Sequence, residues 1–86
     1  MIYPNPSDGR PVNVLPSMTK VSDVKVQIFT LAFRKVNERT FPQVPPGVSV
    51  SIDLKDKNGI PLASGLYYVV VETSQGKSIA KLIIVR

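Results

Sequence analysis

With 86 residues, 43% hydrophobic and 20% charged, the chain is long enough for one domain with a modest core and too apolar for a disordered tail. It contains neither Cys nor His, which excludes disulfides, thiolate or Ser-His-Asp catalysis and Cys-ligated metal, so neither an enzyme nor a cofactor is expected. The formal charge of +5 comes from 11 Lys and Arg against 6 Asp and Glu, scattered rather than laced with aromatics in a basic block, so no nucleic-acid partner is expected.

The first sixteen residues hold four of the eight prolines. Proline fixes φ and lacks an N–H, so Tyr3 to Pro11 is predicted to be extended or turned, neither helical nor centrally paired. Residues 1–11 are read as a Pro-rich linker segment and residues 12–86 as a single domain. The opening Met1-Ile2-Tyr3-Pro4-Asn5-Pro6 has no apolar stretch and is not read as a signal peptide. Val12-Asn13-Val14-Leu15 alternates and forms the first predicted strand. Val24-Lys25-Val26-Gln27-Ile28 alternates with period 2, the mark of a half-buried strand. Val21, Val24, Ile28 and Leu31 also suit a helix face that Ser22 would cap, but the β-branched residues favour a strand.

Leu31 to Phe33 is then the turn of a hairpin returning over Arg34 to Arg39, and Pro42, Pro45, Pro46 and Gly47 mark a loop. Val48-Ser49-Val50-Ser51-Ile52-Asp53 alternates without a fault, and Asp56-Lys57-Asn58-Gly59 is a turn. Gly65 opens Leu66-Tyr67-Tyr68-Val69-Val70-Val71, a continuous apolar run predicted as a central strand buried on both faces. It is the longest such run and far short of the ~20 residues that span a membrane. Ser74-Gln75-Gly76 is a turn, after which Ser78 to Val85 pairs back on the preceding strand. Six or seven short strands without a helix predict an all-β antiparallel sandwich. Edge strands are expected near Val12 and Val48, where chains would pair with one another, although nothing in the sequence sets an oligomeric state.

Four stretches together resemble a known group of bacterial domains. Tyr3-Pro4-Asn5-Pro6 is similar to the "YPNP" opening of C-terminal domains in secreted bacterial proteins. Val24 to Val36 resembles their "v-i-yd-l-G-r-v" hairpin, Asp56 to Tyr68 their "d-nG-p-asGvYf" segment, and Lys81 to Arg86 their closing "Kkiv-r" strand. Two overlapping families share these motifs: the C-terminal sorting domains of type IX secretion cargo, from the Bacteroidota and relatives, and the Ig-like domain of the flagellar hook-capping protein. Both are immunoglobulin-like β-sandwiches. Two positions depart from the pattern. The hairpin glycine is Phe33 here, and Ile52-Asp53-Leu54 resembles the "idl" of the sorting domains rather than the "W-d-G" of the hook-cap group. The Asn58-Gly59 insertion after it is more hook-cap-like, so the sequence sits between the two groups.

The sorting-domain resemblance implies a non-catalytic C-terminal domain of a larger exported protein, acting as a secretion sorting and surface-attachment signal. Its partner would be the outer-membrane secretion machinery or neighbouring domains of the parent protein. Its destination would be the medium or the cell surface, reached through the periplasm. Matched position by position, the resemblance singles out Gly65, Tyr67, Lys81 and Arg86 for recognition and Tyr3, Pro4, Asn5 and Pro6 as a junction motif. A terminal strand with a basic end would offer main-chain pairing and charge to an acceptor. The plainer reading has Gly65 easing strand entrance, Tyr67 in the core and Lys81 marking an exposed position. The alternative function is a hook-cap-like interaction or spacer module that stays attached to a secreted or flagellar protein.

Two further classes have less support. Asp53, Asp56 and Asn58 are oxygen ligands at short spacing, but a calcium loop ending its turn at Asn58-Gly59 would need acids at Leu54 and Gly65. Turn chemistry accounts for the cluster, and no metal site is predicted. A carbohydrate-binding accessory role is the third reading. It suffers from the absence of Trp, and Tyr67 and Tyr68 point to opposite sides of their strand.

Overall fold

β-branched alternation decides the architecture. The computed structural model describes residues 2–86, and these form seven strands: β1 (Ile2–Tyr3), β2 (Val12–Val14), β3 (Ser22–Phe29), β4 (Lys35–Val44), β5 (Val50–Ile52), β6 (Gly65–Thr73) and β7 (Gly76–Ile84). They make two antiparallel sheets, ordered β1-β2-β5 and β4-β3-β6-β7. The fold is the all-β, immunoglobulin-like sandwich expected from periodicity and resemblance.

The core lies between the sheets. Val12, Val14, Val50 and Ile52 face Val24, Val26, Ile28, Val69, Val71, Leu82 and Ile84, each supplied by alternate positions of its strand. Leu54 and Leu62 close one end from the β5–β6 connection, where the Leu62 N–H donates to the Leu54 carbonyl at 3.0 Å. Asp56 organises the turn between them. Its Oδ1 accepts the N–H groups of Asn58 at 2.8 Å and Ile60 at 3.0 Å, while Gly59 takes φ +80°.

The strand reading of 24–28 holds. Val21, on the rival helix face, is 58% exposed, and Leu31 lies in the turn. That turn is closed by Thr30, whose carbonyl accepts the Phe33 N–H at 2.9 Å and whose Oγ1 accepts the Arg34 N–H at 3.2 Å.

Three expectations are corrected. The returning strand does not end at Arg39 but runs through Pro42 to Val44. Proline is tolerated there because β4 is an edge strand and the register slips between Ser22 and Val24, where Pro42 and Gln43 (φ +48°) have no direct counterpart. Val12 is not at an edge, since β2 lies between β1 and β5. β6 is central but only partly buried on its outer face: Tyr67, Val69 and Val71 face the core, whereas on the other side Val70 is buried and Leu66 and Tyr68 are half-buried. Among the described residues no second layer covers that outer face. Its partial shielding comes from neighbouring side chains, chiefly the Phe33 ring stacked on Tyr68 at 5.1 Å between centroids.

Ile28 is completely buried in β3, between β4 and β6. Ile28→Ala should lower the stability by about 2–5 kcal/mol, a large share of what a domain of this size possesses. Urea unfolding would register it as a reduced midpoint with an unchanged slope.

Candidate functional site

The residues singled out by the sequence converge on the β6–β7 hairpin and on the segment that precedes β2. Gly65 starts β6 opposite Ile84, at φ +153°, where a side chain would meet open space but strain the backbone. Tyr67 lies opposite Leu82 and is only 8% exposed, and its hydroxyl donates to the Ala63 carbonyl at 2.7 Å. Lys81 lies opposite Tyr68 on the outer face and is exposed. Arg86 is exposed yet engaged: its Nε donates to the Leu62 carbonyl at 2.7 Å, and its amide to Ser64 Oγ at 3.0 Å. Gly65 and Tyr67 thus shape the hairpin, whereas Lys81 presents its charge outward.

The junction residues Tyr3, Pro4, Asn5 and Pro6 are all exposed, but one of them is tied to the final strand. Asn5 Nδ2 donates to the Lys81 carbonyl at 2.8 Å, and its Oδ1 accepts the Ile83 N–H at 3.1 Å. Two residues on, the Ser7 N–H donates to the Ile83 carbonyl at 2.7 Å and the Ser7 carbonyl accepts the Val85 N–H at 2.8 Å. The second pair is one rung of a parallel ladder, centred on Ile84. The first pair has the same donor–acceptor order, centred on Leu82, with a side-chain amide standing where a peptide group would be. Residues 5–7 therefore form a strap along the free edge of β7.

The strap is anchored at its far end. Ser7 is only 1% exposed, and its Oγ accepts the Gly9 N–H at 3.1 Å. Gly9 has φ +97°, and the Arg86 guanidinium lies so close that an added Cβ would come within 2.6 Å of it. Asn5 was flagged by its motif, but its part as a ladder rung was not. Ser7, Gly9 and their contacts were missed, since no local pattern reports pairing between residues nearly eighty positions apart.

Charge is distributed unevenly over the four-stranded sheet. Glu38 on β4 accepts from Lys35 Nζ at 3.3 Å and Gln27 Nε2 at 3.0 Å, with Lys25 Nζ at 3.9 Å. The Lys35 hydrogen bond, then that from Gln27, hold its carboxyl below the usual carboxylate range. At the other edge Lys77 is 4.0 Å from Glu72, and among the described residues Lys81 has no ion pair. No cluster of three or more potential metal-ligating side chains occurs among the described residues. The site offers backbone pairing and positive charge.

The chain matches the family described as secretion system C-terminal sorting domain over residues 1–85. Among solved structures it is similar to dimeric latent PorU from Porphyromonas gingivalis, with 22% identity and a TM-score of 0.70. That likeness covers 99% of this chain and 9% of the PorU chain. No curated protein matches the sequence.

Two substitutions test the clasp. Asn5→Ala should speed amide exchange at Ile83 while leaving Val85, held by Ser7, protected, at a stability cost of about 0.5–1.5 kcal/mol. Gly9→Ala should cost about 1–2 kcal/mol through its backbone alone, and more where Arg86 is present. A double-mutant cycle with Arg86→Ala should then give a coupling of about 0.5 kcal/mol or larger.

Proposed function

The chain belongs to the secretion system C-terminal sorting domains, and on that premise we propose that it is a non-catalytic type IX sorting and surface-attachment signal of a larger exported protein. The observation that carries this reading is the match over residues 1–85, which takes in both the strap and the terminal hairpin. The composition agrees with a recognition role, because a chain without Cys or His lacks a thiolate nucleophile and the commonest general base. The parent protein would cross the inner membrane by a general route, fold this domain in the periplasm and present it to the outer-membrane machinery. Residues 1–11 would lead the parent into the sandwich at 12–86, to which β1 and the strap already fasten them.

In this reading the recognition residues divide the work. Lys81 is the contact residue, exposed and without an acidic partner among the described residues. Gly65, Tyr67 and Arg86 act through the shape of the hairpin. Gly65 supplies its strained first residue, Tyr67 ties it to Ala63, and Arg86 holds it to Leu62. Tyr3, Pro4 and Pro6 present Asn5 to the final strand.

An export assay tests the proposal. The chain is fused to the C-terminus of a reporter with a general export signal, in a bacterium that has type IX secretion. The expected result is reporter on the surface or in the medium, lost in a translocon mutant. A folded fusion retained in the periplasm of the wild-type strain would overturn the sorting role. Lys81→Ala should reduce export without lowering thermal stability, whereas Tyr67→Phe should lower stability by about 0.5–1.5 kcal/mol. Loss of export in the second variant only would move recognition away from Lys81.

A further inference from the structure

β7 is the outermost strand of its sheet, so every second residue turns its N–H and C=O away from β6. The strap identifies which ones. Asn5 and Ser7 bond to the Lys81 carbonyl, both polar groups of Ile83 and the Val85 amide, so the odd-numbered residues face outward. The next rung of the same ladder is the Ile79 carbonyl with the Lys81 amide, and the following one is the Lys77 carbonyl with the Ile79 amide. Among the described residues, the Ile79 N–H and C=O and the Lys81 N–H have no partner.

Of the usual protections of an edge, this open stretch has only charge, in Lys77 and Lys81. It carries no proline and no bulge, and its pairing with β6 is unbroken from Gly65↔Ile84 to Thr73↔Gly76. The opposite edge, β4, has Pro42, two register shifts and the Glu38 charge network. At the centre of the open stretch Ile79 is 62% exposed. Lys77 and Lys81 flank it on the same face.

We propose that the β7 edge from Lys77 to Lys81 is a docking edge for an extended, acid-bearing segment of a partner protein, added parallel to β7 in continuation of the strap. Backbone pairing supplies the attachment, and carboxylates on alternate residues meet Lys77 and Lys81. Asn5 marks the end of the open edge. Because it contributes only a side-chain amide, a longer incoming strand takes its rung at Leu82 by rotating Asn5 aside and stops at the buried Ser7. A second copy of this chain fits poorly. Two β7 edges paired antiparallel about Ile79 would set Lys77 of each against Lys81 of the other, and like charges directly opposite one another are destabilising. Identifying the partner as a secretion component rests on the sorting reading; the open edge itself does not.

Two measurements together test the inference. In the first, the isolated domain is titrated with a capped Glu-Val-Glu-Val-Glu peptide and followed by amide NMR and hydrogen exchange. The acidic peptide should shift the Ile79 and Lys81 amides saturably and slow their exchange, while a Lys-Val-Lys-Val-Lys peptide should do neither. Ile79→Pro should abolish the effect. It removes an outward donor and no bond to β6, and thermal unfolding checks that it folds. Shifts elsewhere, or none, would overturn the docking edge. Concentration-dependent shifts at these amides without peptide would also overturn it, in favour of a second copy as occupant.

In the second, Ile79→Pro and the charge reversal Lys81→Glu are placed in the export fusion. Where the parent fusion is exported, both should cut export on the order of tenfold or more. Export of both at the parent level would sink the docking edge and leave the sorting role standing. If the parent fusion is itself not exported, the sorting reading fails, and the peptide titration alone decides the edge.

Discussion

A strand at the border of a sheet leaves half its backbone polar groups facing outward, and the way this molecule treats that border at β7 organises its candidate site. Each outward N–H and C=O must find water, a partner or another part of the chain. Here the chain supplies its own early residues at one end of the strand: Ser7 through its backbone, Asn5 through a side chain that imitates one. The result joins the two ends of the sequence. Arg86 then reaches back over Gly9 and onto the Leu62 carbonyl, so the strap, the final strand and the β5–β6 connection meet at one place.

The outer face of the same sheet obeys a weaker version of that constraint. Its aromatic and aliphatic positions, Leu66, Tyr68 and Ile83, are not covered by another layer. Phe33 supplies partial cover from the β3–β4 turn. It does so at φ +59°, a conformation that costs a bulky residue about 1–2 kcal/mol. Its ring lies parallel to Tyr68 with an interplanar angle of 2°, and such a contact returns about 0.5–1.5 kcal/mol beyond the area it buries. The two terms are of similar size, which explains how an aromatic occupies a position where the resembling families carry glycine. The ring remains 66% exposed, so this cover is partial.

Period-2 alternation made the fold readable, because each half-buried strand declares its inward face in one dimension. Val24–Ile28 lies within β3, while of the predicted Val48–Asp53 only Val50–Ile52 pairs, with Val48 exposed before the strand begins. Features that depend on neighbours were not readable. Pro42 marked a loop by its chemistry, yet the edge position and the register slip beside it let the strand continue. The apolar run Leu66–Val71 implied burial on both faces, because sequence does not distinguish a covering layer from aromatic neighbours that shield one another. Lys81 and Asn5 were legible as motif positions. Their proximity was not, since the ladder between them has a sequence separation that no local propensity encodes.

The division between stability and presentation in the terminal hairpin follows from where each group's bonding capacity is spent. Tyr67 commits its hydroxyl to Ala63, and Arg86 commits its Nε to Leu62, so substitutions there disturb the hairpin before they disturb any contact outside it. Glu38 is similarly committed, surrounded by Lys35, Gln27 and Lys25 on the far edge. Lys81 differs. Its carbonyl is tied to Asn5, which fixes the strand, while its ammonium group has no carboxylate within ion-pairing distance among the described residues. An exposed surface charge of this kind contributes little to folding. In the proposed docking its energetic value would lie in what it meets after folding, and the outward amide of the same residue would direct that encounter along the strand.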